Sequence, residues 1–122
     1  MALTVHIKRV YDPASSTDGK RILVDRLWPR GISRDKARID VWIKDVAPSN
    51  ELRTWFHHDP DKWPEFVKRY RAELKASTAV LRELQDAAEH GAITLLYSAK
   101  DEKHNNAVVL RDVLARKRGA TA

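Results

Sequence analysis

The chain has 122 residues, with 43% apolar and 33% charged, which is too apolar for a disordered segment and the length of one domain. It has no cysteine, which excludes disulfides, thiol nucleophiles, iron–sulfur clusters and cysteine-based zinc sites. Lys and Arg number 23 against 17 Asp and Glu, a net charge of +6 that attracts phosphate-bearing partners or simply keeps the protein soluble.

No apolar run approaches the ~20 residues of a membrane span, so no membrane partner is expected. The N-terminal residues lack a basic segment followed by an apolar core, so no secretory signal is expected, and a cytoplasmic location is the default.

In chain order, Leu3, Val5 and Ile7 alternate with polar residues as in a half-buried strand. Tyr11 to Lys20 is rich in Asp, Pro, Ser and Gly and reads as a loop. Ile22-Leu23-Val24 reads as a short strand buried on both faces, and Pro29 and Gly31 stop regular structure after it. Ser33 is placed to cap a helical turn to about Arg38, and Ile39, Val41 and Ile43 alternate as a third strand.

Ser49 is placed to cap a helix carrying Leu52, Trp55 and Phe56, which Asp59-Pro60-Asp61 breaks. Pro64 suits the first position of a helix with Phe66, Val67, Tyr70 and Leu74 in one stripe. A further helix from Ser77 carries Val80, Leu81 and Leu84, and Gly91 is expected to end it in the left-handed conformation. Ala92 to Tyr97 is almost wholly apolar, as in a covered parallel sheet. Asn105 then starts a last helix with Val109, Leu110, Val113 and Leu114 facing inward, and the last few residues are expected to form a flexible basic tail.

This alternation predicts a single-domain α/β fold: a small, mostly parallel four-stranded sheet with helices on both faces. The two alternating strands should form its edges.

Such sheets bind ligands beyond the carboxyl ends of their strands. Arg9, Tyr11 and Asp12 follow the first strand, and Asp25, Arg26, Trp28 and Arg30 follow the second. Lys44 and Asp45 follow the third, and Tyr97, Ser98, Lys100, Asp101, His104 and Asn105 follow the fourth. Arg26 and Arg30 are suited to clamp a phosphate or carboxylate, with Arg9, Lys44, Lys100 and Asn105 as further ligand-binding candidates. The free N–H groups at Asn105, Asn106 and Ala107 would add a partial positive charge. The competing reading pairs Arg26 with Asp25 or Asp45, and Arg30 with Asp35, as structural ion pairs.

His104 and Asp101 are acid/base candidates, and Tyr97 joins them at the strand end. A metal site is not expected: adjacent His57 and His58 diverge by about 100° on a helix, and no helical His pair at a spacing of four occurs. No cofactor is expected, because no glycine-rich phosphate loop is present. Trp28 is either a stacking platform or a lid on the core. The +6 charge, Arg116-Lys117-Arg118 and Trp28 leave a nucleic-acid-binding module as the alternative to a small-anion site, although no known nucleic-acid-binding motif is visible.

Five segments resemble the YeaO-like family, a domain of unknown function (DUF488). They are Lys8 to Asp12, Leu23 to Gly31 (with Asp-Arg-Leu-Trp-Pro-Arg-Gly), Trp42 to Ser49, Leu52 to Pro60, and Thr94 to Ala107. The similarity runs from about Val5 to Leu114. It implies a compact α/β domain and implies no reaction. More distant relatives carry Cys where this chain has Tyr97, and Cys-His-Arg where it has Lys103-His104-Asn105. Of these only the histidine is retained, so the resemblance again singles out His104 while removing thiol chemistry.

Overall fold

A computed structural model describes residues 4–121, with side chains described through residue 115. Four strands, β1 (Val5–Arg9), β2 (Lys20–Leu23), β3 (Val41–Trp42) and β4 (Ile93–Tyr97), form one sheet in the order β1-β4-β2-β3. Every pairing is parallel, with Val5 and Lys20 both opposite Ile93, and Ile22 opposite Val41. The apolar β4 is interior and buried throughout, and the alternating β1 and β3 are the edges.

The sheet separates two cores. Ile22, Val24, Ile93, Leu95 and Tyr97 face a large cluster built with α2 (Asn50–Phe56), α3 (Trp63–Lys75), α4 (Thr78–His90) and α5 (Asn106–Thr121). Leu23 and Leu96 point the other way, onto Val10, Ile39, Ile32 and Trp42. That thinner face has only α1 (Arg34–Ala37), together with loops. This alternation is why both central strands read as unbroken apolar runs.

Local chemistry explains most element boundaries. Ser33 accepts from the Lys36 N–H, Ser49 from Leu52 and Asn105 from Val108, so each orients a helix start. Pro64 lies in the first turn of α3, where its missing N–H costs no hydrogen bond.

Two expectations are corrected. Gly91 ends α4 at φ 161°, ψ 179°, which is extended backbone and not left-handed. The third strand is clipped to two residues. Ile39 donates its N–H back to Arg34, Asp40 accepts from the Arg21 N–H, and a 3-10 turn begins at Lys44. The end of α1 therefore claims Ile39, whereas Asp40 and Ile43 flank the strand and still donate their N–H groups to the β2 carbonyls of Arg21 and Leu23. The expected flexible basic tail, with Arg116-Lys117-Arg118, lies outside the described side chains, and the α5 backbone extends through Thr121.

A buried polar cluster lies at the other end of the sheet from the strand-end loops. Arg21 donates to Asp18 at 2.6 Å and to the carbonyls of Ala37 and Arg38, which ties β2 to the end of α1. Lys8 reaches the same carboxylate at 3.0 Å, and the Thr94 hydroxyl donates to the Asp18 carbonyl. Among the described residues, no helix is long and apolar enough to cross a membrane.

Candidate functional site

At the carboxyl ends of β2 and β4 the two strands give way to the loops that follow them. Val24 continues the ladder by donating to Leu96. Immediately beyond it, Asp25 Oδ2 accepts both the N–H (2.9 Å) and the hydroxyl (2.8 Å) of Ser98. The Trp42 indole N–H donates to the Asp25 carbonyl at 2.7 Å, and Asn106 donates from its side chain to the Val24 carbonyl at 3.0 Å. Strand ends, β3 and the start of α5 are thus locked around one carboxylate.

A cavity of about 170 Å3 opens here. Asp25, Arg26, Ser98, His104, Asn105 and Asn106 line it from the strand-end loops and α5, with Arg53 and His58 from the α2 side. Its apolar lining includes Leu27, Pro48, Phe56 and Phe66, and the two phenyl rings stack with centroids 4.3 Å apart.

Arg26 answers to neither side of the sequence argument alone. Its Nε and Nη2 donate to the carbonyls of Pro48 (3.1 Å) and Ala47 (3.2 Å), so it pairs with neither Asp25 nor Asp45. Among the described residues Nη1 has no hydrogen-bond partner, which leaves one amino group for a ligand. Among the described residues Arg53 Nη2 reaches only Asn50, at 3.3 Å, and the side chain is otherwise exposed.

His104 is oriented by its own loop. Asp101 Oδ1 accepts the N–H groups of Lys103 and His104, and its Oδ2 lies 2.8 Å from His104 Nδ1. The hydrogen bond to His104 holds the Asp101 carboxyl below its ordinary range, with the Lys103 N–H as a second contribution. The imidazole packs edge-on against Trp63 at 5.2 Å. With Nδ1 engaged, Nε2 is the nitrogen available to the cavity. Asn105 is buried and bridges the Asp101 carbonyl to the Val108 N–H, fixing the loop to the helix it caps.

Asp25 behaves in the opposite way to Asp101. Burial pushes its carboxyl pKa up, and the Ser98 hydrogen bonds offset only part of that. Burial also raises Tyr97, which sits beneath the site in the large core.

Of the residues singled out by sequence, the structure brings Arg26, His104 and Asn105 to the cavity, with Asp101 holding His104. The others serve elsewhere. Arg9 donates to the carbonyls of Ala99 and Ser98 and covers the Tyr11 ring, so it braces the loop after β4. Trp28 packs edge-on against Trp42 at 5.3 Å and donates its indole N–H to Ile32. Lys44 lies over Trp42. Arg30 and Lys100 are exposed and do not line the cavity, and the Arg30–Asp35 ion pair of the competing reading is not formed.

Sequence reasoning placed Asp25 and Ser98 on the rim without giving either a site role, and it did not bring Arg53 or His58 there. His57 and His58 both adopt the left-handed conformation, at φ 45° and 55°. These two residues close α2 and turn the chain toward α3, which brings His58 over the cavity. Consecutive left-handed non-glycine residues are costly and concentrate at functional sites. Among the described residues, no group of three or more metal-ligating side chains is assembled.

A family model described as the inactive DUF488-N3 subclade (DUF488-N3i) matches residues 4–121. The uncharacterized protein YeaO of Escherichia coli is 46% identical over 112 residues, covering 92% of this chain and 97% of that one. Uncharacterized proteins of Mycobacterium tuberculosis and Mycobacterium bovis are each 43% identical over 110 residues, covering 90% of this chain and 92% of theirs. No solved structure matches the chain significantly. With nearly its full length covered by the family model and by these relatives, the chain belongs to the YeaO-like DUF488 family.

Proposed function

We propose that the cleft at the strand ends binds a small anion, a phosphate or carboxylate, and that this binding is the protein's function. The observation carrying this reading is that Arg26, Arg53, His58 and His104 all line one cavity. The unpaired N–H groups at the start of α5, where Asn105 and Asn106 line the same cavity, add a partial positive charge. Arg26 is held rigidly by two carbonyls, so little side-chain entropy is lost when its remaining amino group meets a ligand.

Recognition is favoured over turnover. The chain has no cysteine, and the description of its matching family model carries the word inactive. His104 has an orienting carboxylate, but the hydroxyl of Ser98 donates to Asp25 and not to His104.

Thermal unfolding with phosphate, sulfate and simple carboxylates tests the reading. An anion at 100 times its Kd stabilises by about 2.7 kcal/mol. Arg53 bonds only Asn50 among the described residues, so Arg53→Gln should keep the fold and reduce the shift. No shift with any anion would contradict the reading.

A further inference from the structure

Among the described residues that line the cavity, Asp25 is the one acidic side chain, and it sits with Arg26, Arg53, His58 and His104. Asp25 joins the two central strands through Ser98, yet it also places a like charge beside a bound anion. Both Ser98 donors converge on Oδ2. The neighbouring Arg26 guanidinium turns away to Ala47 and Pro48, and Asp25 makes no ion pair among the described residues. Ser98 holds this carboxylate, with the Asn106 side chain and the charge of His58 as weaker contributions, and with no ion pair it remains a strong acceptor for a donor on a ligand. The rest of the wall, Leu27, Pro48, Phe56 and Phe66, is apolar and offers an organic body a surface.

We propose that the cleft selects an organic acid that carries its own hydrogen-bond donor, a hydroxyl or an ammonium, next to the acid group. The acid group meets Arg26 and Arg53, the donor meets Asp25, and the apolar body rests against Phe56 and Phe66. This inference rests on the anion reading above and narrows it to a ligand class. A site built around a buried acceptor rejects the analogue lacking the donor, because the acceptor is then left desolvated and unpaired.

Isothermal titration at pH 7 with phenylacetate, mandelate and phenylglycine tests it. The three share a ring and a carboxylate, and the second and third add an α-hydroxyl and an α-ammonium. At least one donor-bearing acid should bind about tenfold or more tighter than phenylacetate. Asp25→Asn can keep the Ser98 hydrogen bonds on its oxygen while presenting an N–H group to the ligand. It should therefore abolish that preference.

If phenylacetate binds within tenfold of both donor-bearing acids, the selectivity proposal is overturned and the anion reading stands. A preference that survives in folded Asp25→Asn overturns it as well. If none of the three acids binds and inorganic anions also fail to stabilise the protein, the anion reading falls and takes this inference with it.

Discussion

Ser98 donates twice to a single oxygen of Asp25, bridging 73 residues of sequence and joining the two central strands at the mouth of the cleft. These bonds offset only part of the burial cost, and the Asp25 carboxyl remains pushed above its ordinary value of 3.8. A carboxyl raised in the folded state favours the protonated form there. Stability from this group is therefore present at acid pH and is lost as pH rises from about 3.8 through the raised value. Asp25→Asn is isosteric and uncharged. Its Tm is expected to exceed that of the wild type near neutral pH, with the difference shrinking toward pH 4. Calorimetric scans across that range check it, and an equal loss of Tm at every pH would contradict this account of Asp25. A site residue that lowers stability is a common signature of function.

Asp18 carries the opposite sign. Burial acts to raise its carboxyl, but hydrogen bonds from the Ser15 N–H, Lys8 and Arg21 outweigh that and leave it lowered. Its contribution is present above the ordinary value of 3.8 and is lost as pH falls through the lower folded value. Asp18→Ala strands Arg21, which is only 3% exposed, without its counter-ion. Removing one partner of such a pair costs roughly 3–5 kcal/mol. Urea unfolding of Asp18→Ala at pH 7 should show a loss of this order, and a loss under about 1 kcal/mol would show that the carbonyls of Ala37 and Arg38 suffice for Arg21.

Gly19 precedes β2 with φ +65°, and a Cβ built there would lie 2.0 Å from the backbone oxygen of Ala92. Both the conformation and the space exclude a side chain, and the obstacle is backbone that pairs with Lys20. Gly19→Ala is expected to destabilise by more than about 2 kcal/mol, since strain and clash add. Gly31, at φ +74° with open space around it, provides a control in which only the conformational part is felt. Chemical denaturation of the two alanine variants should rank Gly19→Ala as the more damaging.

The sequence disclosed the sheet because burial and backbone chemistry leave local marks. The unbroken apolar run of Ile93–Tyr97 could only be interior, and the alternation in Val5–Arg9 marked an edge. Ser33, Ser49 and Asn105 were readable as helix starts because capping uses a side chain within three residues of its target. The rim rule points to the strand ends, where Arg26, His104 and Asn105 line the cavity. Their partners were less visible. Whether Arg26 turns to a carboxylate or to the carbonyls of Ala47 and Pro48 depends on where a 3-10 turn 20 residues away comes to rest. His58 reaches the cavity through two left-handed residues that no glycine or asparagine announces. Arg53 lies on α2, and only the packing of that helix brings it to the strand ends.

The central claim is that one cleft at the strand ends takes an anion. Amide chemical-shift mapping during titration with sodium phosphate and then mandelate tests it most directly. The perturbed amides should cluster at Arg26, Arg53, Ser98 and His104 to Ala107. Shifts spread over surface lysines and arginines, with those amides unmoved, would contradict the claim.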